Sequence, residues 1–168
     1  PLFELPEAVD RVRAARKAID ISGANVLLTA RAECFLVNHP DALRESICRL
    51  QAYCDAGADV FYAPGLTDPA DIRAIVDSVR PKPVNVLMSS HTGLTVSDLA
   101  AMGVRRISVG SALARAAWSG FLKAATPIAH EGSFAGLDGV VPFAELNSVF
   151  EADSIRRANV PEGETKKC

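Results

Sequence analysis

An arginine and a glutamate follow the first buried strand that the sequence predicts, and their side chains are suited to chemistry. Arg31 and Glu33 come directly after the apolar run of residues 25–30. In parallel α/β proteins ligands bind at the carboxyl ends of strands, and the planar guanidinium of arginine matches a carboxylate or a phosphate. The alternative is an ion pair of Arg31 with Glu33 or another partner that only fixes the loop. Spacing alone leaves the two interpretations equal.

Two later loops at predicted strand ends also carry groups that could hold a polar ligand. Ser89 and His91 stand in a run of small hydrogen-bonding residues, a pattern that favours an ordinary turn over a ligand loop. Gly110 and Ser111 lead from the fourth predicted strand straight into a helix, whose first backbone amides would receive an anionic group. A glycine between a strand and a helix is also a common packing device, and no Walker or GxGxxG sequence is present.

Several kinds of chemistry are disfavoured by the sequence. None of the five lysines lies in or just beyond a predicted strand, where a Schiff-base aldolase would place its lysine. The 4 cysteines form no CxxC pair, and the 3 histidines have no partners at metal-ligand spacing, which disfavours zinc. Unpaired cysteines of this kind are typical of a reducing compartment, and we expect a cytoplasmic protein.

Length and charge bound the class of protein. A chain of 168 residues with a 49% hydrophobic share is long enough for one domain with a sizeable core. The net charge of −2 gives no electrostatic footprint for nucleic acid or for an anionic membrane surface. No apolar run approaches the roughly 20 residues of a transmembrane helix. We therefore expect neither nucleic acid nor a membrane among the partners.

Four strand-then-helix units follow a first helix over residues 6–21. Short continuous apolar runs predict strands that are buried on both faces, and three-to-four spacing of apolar residues predicts the helices. The predicted strands are residues 25–30, 59–63, 84–88 and 106–109. Such repeated units predict an α/β protein whose parallel strands are joined by right-handed crossovers.

The last third of the chain differs in composition. Residues 132–139 are rich in glycine and are expected to form a loop. Phe143 to Phe150 predicts a short amphipathic helix. The polar residues 151–168 are expected to be an arm or a flexible tail. The sequence thus suggests a boundary between residues 1–150 and residues 151–168.

Residues 26–150 resemble the second half of the isocitrate lyase/phosphoenolpyruvate mutase superfamily, and most closely its short bacterial phosphoenolpyruvate phosphomutase-like members. Four blocks carry the resemblance, in matching order and spacing. They are TARAECFL at 29–36, GADVFYAPG at 57–65, NVL at 85–87 and GVRRISVGS at 103–111. The resemblance implies strands five to eight of a (β/α)₈ barrel within residues 1–150, followed by a C-terminal helical arm.

The resemblance also implies a function. Members bind Mg²⁺ and a small α-keto or 2-hydroxy carboxylic acid, and they break or form C–C or C–P bonds through an enolate-like intermediate. Arg31 falls on the family's substrate-carboxylate arginine, and Glu33 matches an acidic position that supports catalysis. The remaining positions are expected to face the substrate: Asn85, Ser89, Gly110 and Ser111. Dimers or tetramers of identical chains are expected.

Two departures from the family define the alternatives. Pro64 stands where the lyases have an acidic residue and the mutases a histidine. The family's metal-binding aspartates and gating loop belong to the first half of the barrel, so the Mg²⁺ ligands are expected outside this segment. The chain is then the C-terminal part of a lyase or mutase. Alternatively it is a catalytically silent half-barrel that serves assembly with a second chain, with 143–150 as a partner-binding arm or as a cover for the open barrel end.

Overall fold

A computed structural model describes residues 2–159, and its centre is a sheet of four parallel strands. The strands lie side by side in chain order, so each crossover returns the chain to the next position in the sheet. They are β1 (Thr29–Arg31), β2 (Val60–Tyr62), β3 (Val84–Leu87) and β4 (Arg106–Ser108). The predicted α/β class and the parallel direction of the strands are confirmed.

A helix precedes the first strand and helices connect the others. The helices are α1 (Leu5–Ser22), α2 (Ala42–Asp55), α3 (Pro69–Ser78), α4 (Val96–Ala101), α5 (Ala112–Glu131) and α6 (Phe143–Ala158), with a short 3₁₀ helix at Ala135–Leu137. Local residues set their ends. Asp68 caps α3 by accepting hydrogen bonds from the backbone amides of Ala70 and Asp71. Gly23 ends α1 in the left-handed conformation at φ 65°, where a glycine is favoured.

The two faces of the sheet differ in chemistry. On one face Ala30, Phe61 and Val84 lie opposite one another in register, and all three are buried. They share one hydrophobic cluster with Leu50 of α2 and Ile72 of α3. Burying each large aliphatic or aromatic side chain contributes about 1.5–3 kcal/mol, so this face fixes the sheet against its helices. The opposite face carries polar residues and is described below.

The chain divides into two compact units, one up to Arg115 and one from Ala116 onward. In the described part of the second unit, Trp118 and Phe121 of α5 form an edge-to-face aromatic pair with 5.3 Å between ring centres. Neither α5 nor α6 buries any of its residues in this structure. Their large exposed side chains are Leu113, Trp118, Phe121, Leu122, Ile128, Phe143, Leu146, Val149, Phe150 and Ile155.

The first strand is shorter than predicted. Residues 25–28 are not in a strand, and Val26 and Leu27 are exposed by more than half. The prediction treated the apolar run as buried on both faces, but β1 is an edge strand of the described sheet and pairs with β2 only. Leu28 still meets the neighbouring chain, because its amide donates to Asp59 and its carbonyl accepts from Val60.

The last helix is longer than predicted. The structure continues α6 to Ala158, so the predicted boundary at residue 150 falls inside a helix. Asp153 forms ion pairs with Arg156 and Arg157, three and four residues later, which is the spacing that stabilises an exposed helix. Residues 151–158 are therefore helical, as the predicted arm would be and the alternative of a flexible tail would not. The predicted tail at 160–168 lies outside the described residues.

In the part of the chain that the structure describes, no helix is both long enough and apolar enough to span a membrane.

Candidate active site

Arg31 is the last residue of β1, and its side chain lines a cavity of about 400 Å³. Its Nε lies 2.9 Å from Oε1 of Glu33, so the ion pair considered from the sequence is formed. The two side chains remain 50% and 38% exposed. Because such exposed pairs are worth only about 0–1 kcal/mol, a carboxylate entering the cavity could replace Glu33 at little cost. The structure thus contains both the ion pair and a cavity beside it.

The strand register aligns Arg31 with two further polar side chains. Arg31 lies opposite Tyr62, and Tyr62 lies opposite Asn85, so the three share the face that does not carry Phe61. The guanidinium carbon of Arg31 is 5.1 Å from the centre of the Tyr62 ring, a cation–π distance. In the sequence Tyr62 lies inside the predicted strand 59–63 and gives no signal of a site residue.

Asn85 is the most enclosed member of this row, at 1% exposure. Its Nδ2 donates to Oγ of Ser108, 3.0 Å away on β4. Among the described residues, its Oδ1 has no hydrogen-bond partner. An unsatisfied buried oxygen is costly, so Asn85 has spare capacity to accept one hydrogen bond. The structure therefore places Asn85 on the same face as Arg31, as expected of a site residue, but inside the protein.

A buried arginine forms the inner wall of the same cavity. Arg49 of α2 donates from Nε to Glu45 at 2.7 Å and from a terminal nitrogen to the carbonyl oxygen of Phe3 at 2.9 Å. Burial lowers the pKa of Arg49, but its hydrogen bonds to Tyr53 and Glu45 raise the pKa overall. Arg49 is therefore a fixed positive charge. The rest of the lining comprises Leu2, Phe3, Ala8, Leu36, Val37 and Tyr53.

The loop after β3 lies at a second, smaller cavity. Ser90, His91 and Thr92 line this space of about 220 Å³. Ser89 is not part of its lining, and the carbonyl oxygen of Ser89 accepts a hydrogen bond from Arg115 at 2.9 Å. The structure therefore brings His91 rather than Ser89 to a cavity. The predicted role of Ser89 in substrate binding stays a prediction.

Gly110 and Ser111 form the turn between β4 and α5. Gly110 has φ +54°, and a Cβ added there would lie 3.3 Å from Leu87, so the glycine permits a close approach of β3 and the turn. The amide of Ala112 already donates to the carbonyl of Val109 at 3.0 Å. Neither Gly110 nor Ser111 lines the cavity of Arg31. Their predicted contact with substrate therefore stays a prediction.

A metal ion would need several donor side chains close together. Within residues 2–159, no three histidine, cysteine, aspartate or glutamate side chains lie close enough to hold a metal ion. Glu33, the carboxylate nearest to Arg31 in the cavity, is occupied by that arginine. Magnesium prefers several oxygen ligands in octahedral geometry. The described residues thus offer no cluster of three such side chains, and the expectation that the Mg²⁺ ligands lie outside this segment stays a prediction.

The family of the chain follows from its match to a family model. The model of phosphoenolpyruvate phosphomutase covers residues 1–129 of this chain, which include all four strands. This chain belongs to the phosphoenolpyruvate phosphomutase family. The resemblance inferred from the four sequence blocks is confirmed.

Relatives of this phosphomutase-family chain are about twice as long. An uncharacterized protein of Mycobacterium tuberculosis is 34% identical over 143 residues, which are 83% of this chain and 53% of that protein. A crystal structure from Burkholderia cenocepacia carries a provisional assignment as a lyase/mutase. Its chain is 44% identical to this chain, with a TM-score of 0.79. The match covers 90% of this chain and 54% of the Burkholderia chain. The chain thus spans about half the length of the curated relatives it matches.

A solved enzyme links the fold to the wider superfamily. The structure of 2,3-dimethylmalate lyase, a PEP mutase/isocitrate lyase superfamily member, is 26% identical with a TM-score of 0.74. The match covers 94% of this chain and 55% of the lyase chain. The expectation of a parallel α/β fold that makes up about half of a barrel of this superfamily is therefore confirmed.

Proposed function

We propose that this chain supplies the carboxylate-binding part of a lyase or phosphomutase that acts on a small α-keto or 2-hydroxy carboxylic acid. The observation that carries the proposal is the position of Arg31. In a chain of this family, its guanidinium stands at the carboxyl end of β1 and lines a cavity of about 400 Å³. That end of the strand is where parallel α/β enzymes bind their substrates.

The chemistry gives Arg31 a defined task. When the C–C or C–P bond of the substrate breaks, its electron pair stays on the carbon next to the carbonyl or carboxyl group and is delocalised as an enolate. In C–C cleavage the other fragment leaves as an aldehyde or ketone and its hydroxyl proton goes to a base; in the mutase reaction the phosphoryl group bonds to the enolate oxygen. The guanidinium binds both oxygens of the adjacent carboxylate and stabilises the added negative charge. Glu33 holds the guanidinium in place when no substrate is bound, and the Tyr62 ring supports it from the side.

The other half of the site is expected outside residues 2–159. When bound, Mg²⁺ would polarise the substrate oxygens, and its ligands would come from residues other than those described here. We propose that Asn85, Ser89, Gly110 and Ser111 contact the rest of the substrate. The family resemblance implies this for Ser89, and the backbone amides at the start of α5 suggest it for Gly110 and Ser111. Pro64 is fully buried beyond β2 and has no polar group for that substrate.

Replacement of Arg31 in the complete enzyme tests the proposal. Arg31→Ala should lower kcat/KM about 100-fold, since truncating one partner of a desolvated charge pair costs about 3 kcal/mol. Arg31→Lys keeps the charge but loses the bidentate geometry, so we expect an intermediate loss. The matched control is Arg44→Ala, because Arg44 is an exposed arginine paired with Asp41 at 3.6 Å on α2. An unchanged kcat/KM in Arg31→Ala would remove Arg31 from the site.

A second candidate function is assembly without catalysis. The apolar side chains that α5 and α6 leave exposed, Trp118 and Phe150 among them, favour it, because large apolar patches mark protein interfaces. The proposed partners are identical chains in a dimer or tetramer. Sedimentation combined with an activity assay separates the two candidates: both would assemble, but a silent module would show no turnover with any partner. The free thiols of Cys34, Cys48 and Cys54 agree with the proposed cytoplasmic location.

A further inference from the structure

A basic cleft lies at the opposite end of the sheet from Arg31. Lys82 stands two residues before β3 begins, and Arg105 directly precedes β4, so both mark the amino ends of their strands. Arg31 is at the carboxyl end of β1, and all four strands are parallel. The cleft has a volume of about 260 Å³. Its lining comprises Val76, Arg80, Pro81, Lys82, Gly103 and Arg105.

The charge around this cleft is unbalanced. Three cationic residues line it: Arg80, Lys82 and Arg105. Arg80 forms an ion pair with Asp77, whose Oδ1 lies 3.0 Å from Nε of Arg80. Among residues 2–159, neither Lys82 nor Arg105 has an ion-pair partner. Because Arg80, Lys82 and Arg105 are exposed, water and salt screen their repulsion, so an anion that contacts more than one of them would be attracted most strongly at low ionic strength.

Backbone hydrogen bonds fix the two segments that carry Lys82 and Arg105. The amide of Lys82 donates to the carbonyl of Val79 at 2.9 Å, and the amide of Arg105 donates to that of Val84 at 3.2 Å. Gly103 has φ +91°, and a Cβ there would lie 2.9 Å from Val76 and 3.7 Å from a terminal nitrogen of Arg80. A larger residue would therefore intrude beside the Arg80 guanidinium, where the glycine leaves space.

We infer that this cleft binds a small phosphate-bearing anion. Guanidinium forks match phosphate oxygens bidentately, and lysine adds a mobile point charge. A volume of about 260 Å³ lies just below the roughly 300–1,000 Å³ of pockets that hold drug-sized ligands, so it suits one or two phosphate groups. The cleft is separate from the proposed substrate site, and the inference does not depend on that proposal.

Calorimetric titration of the 168-residue chain with inorganic pyrophosphate, in low salt without magnesium, tests the inference. We expect saturable binding with one site per chain. The double variant Lys82→Gln/Arg105→Gln should bind at least 10-fold more weakly. The matched control is Lys17→Gln/Arg73→Gln, which removes two exposed cations outside the cleft and should bind like the unaltered chain.

A second control separates this cleft from the cavity of Arg31. Arg31→Ala should retain full pyrophosphate binding, and pyrophosphate should raise the Tm of the unaltered chain but not that of the Lys82/Arg105 double variant. Unchanged binding in the double variant would overturn the inference. Equal weakening in the Lys17/Arg73 control would also overturn it, because the effect would then reflect net charge alone.

Discussion

The guanidinium carbon of Arg31 lies 5.1 Å from the centre of the Tyr62 ring, and the two residues are directly opposite each other in the pairing of β1 with β2. Tyr62 belongs to the buried core of the sheet, whereas the Arg31 side chain is half-exposed. The flexible cation therefore rests on a fixed aromatic surface. This restricts the arginine before any substrate arrives, which lowers the entropic cost of binding a carboxylate.

Replacement of Tyr62 should change substrate affinity through Arg31. Tyr62→Phe keeps the aromatic face, so we expect the KM of the complete enzyme to stay close to that of the unaltered protein. Tyr62→Leu removes the cation–π contact, worth about 0.5–1 kcal/mol at such a site, and should raise KM about two- to five-fold. Steady-state kinetics measure both variants. Equal KM values for the phenylalanine and leucine variants would show that the ring does not position Arg31.

The 168-residue chain on its own should have no lyase or mutase turnover. We expect this because the family reaction is proposed to require Mg²⁺, and its ligands are expected outside this segment. The described residues hold no cluster of three histidine, cysteine, aspartate or glutamate side chains. An assay of the purified chain with a panel of small α-keto and 2-hydroxy acids, with and without Mg²⁺, measures this. Mg²⁺-dependent turnover by a preparation free of any other fragment would contradict the prediction.

Gly57→Ala should destabilise the protein more than Gly23→Ala. Both glycines have positive φ, but a Cβ at residue 57 would lie 2.8 Å from Cγ of Arg16, whereas nothing lies within 4 Å of one at residue 23. Left-handed strain alone costs about 1–2 kcal/mol, and displacing Arg16 adds about 1–3 kcal/mol. Urea titration gives the free energy of unfolding. Equal losses for the two variants would mean that Arg16 moves aside freely.

The carboxyl group of Asp98 should titrate below its usual range. Hydrogen bonds from the Thr95 hydroxyl and the Thr95 backbone amide to Asp98, at 2.6 and 2.8 Å, lower its pKa. Because the folded-state pKa is lowered, the stabilisation is present above the ordinary pKa and is lost as pH falls through the lowered value. NMR titration of the side-chain carboxyl measures the shift, and Thr95→Val should return the pKa toward its ordinary value. An ordinary pKa in the unaltered chain would show that these two hydrogen bonds at the start of α4 do not form in solution.

Local sequence patterns predict the architecture well and the element ends poorly. Apolar runs place β2, β3 and β4 within one or two residues. The strands β2 and β3 are short, buried stretches, whereas β4 is exposed at Arg106 and only partly buried at Ile107 and Ser108. The apolar runs start β1 too early. Whether residues 25–28 join a strand depends on pairing with a neighbouring strand at the edge of the sheet, which the apolar pattern does not reveal. The ends of α6 depend on pairs such as Asp153 with Arg157, which composition does not reveal.

The candidate site was predictable only in part. Arg31 and Glu33 are visible from sequence because charged residues that directly follow an apolar run are conspicuous. Tyr62 and Arg49 are not visible, since one lies within a buried strand and the other within an apolar helix pattern. Their relation to Arg31 comes from strand register and from helix packing, which join residues far apart in the chain.

The hydrogen bond from Arg49 to the carbonyl oxygen of Phe3 joins residues 46 positions apart. This hydrogen bond fixes the segment before α1 to the middle of α2. Leu2 and Phe3 of that segment form one side of the cavity beside Arg31. Arg49 thus shapes the cavity in two ways, as part of its inner wall and by holding Phe3 in place. Substitution of Arg49 would therefore change the shape of the cavity, and with it the range of acids that can enter.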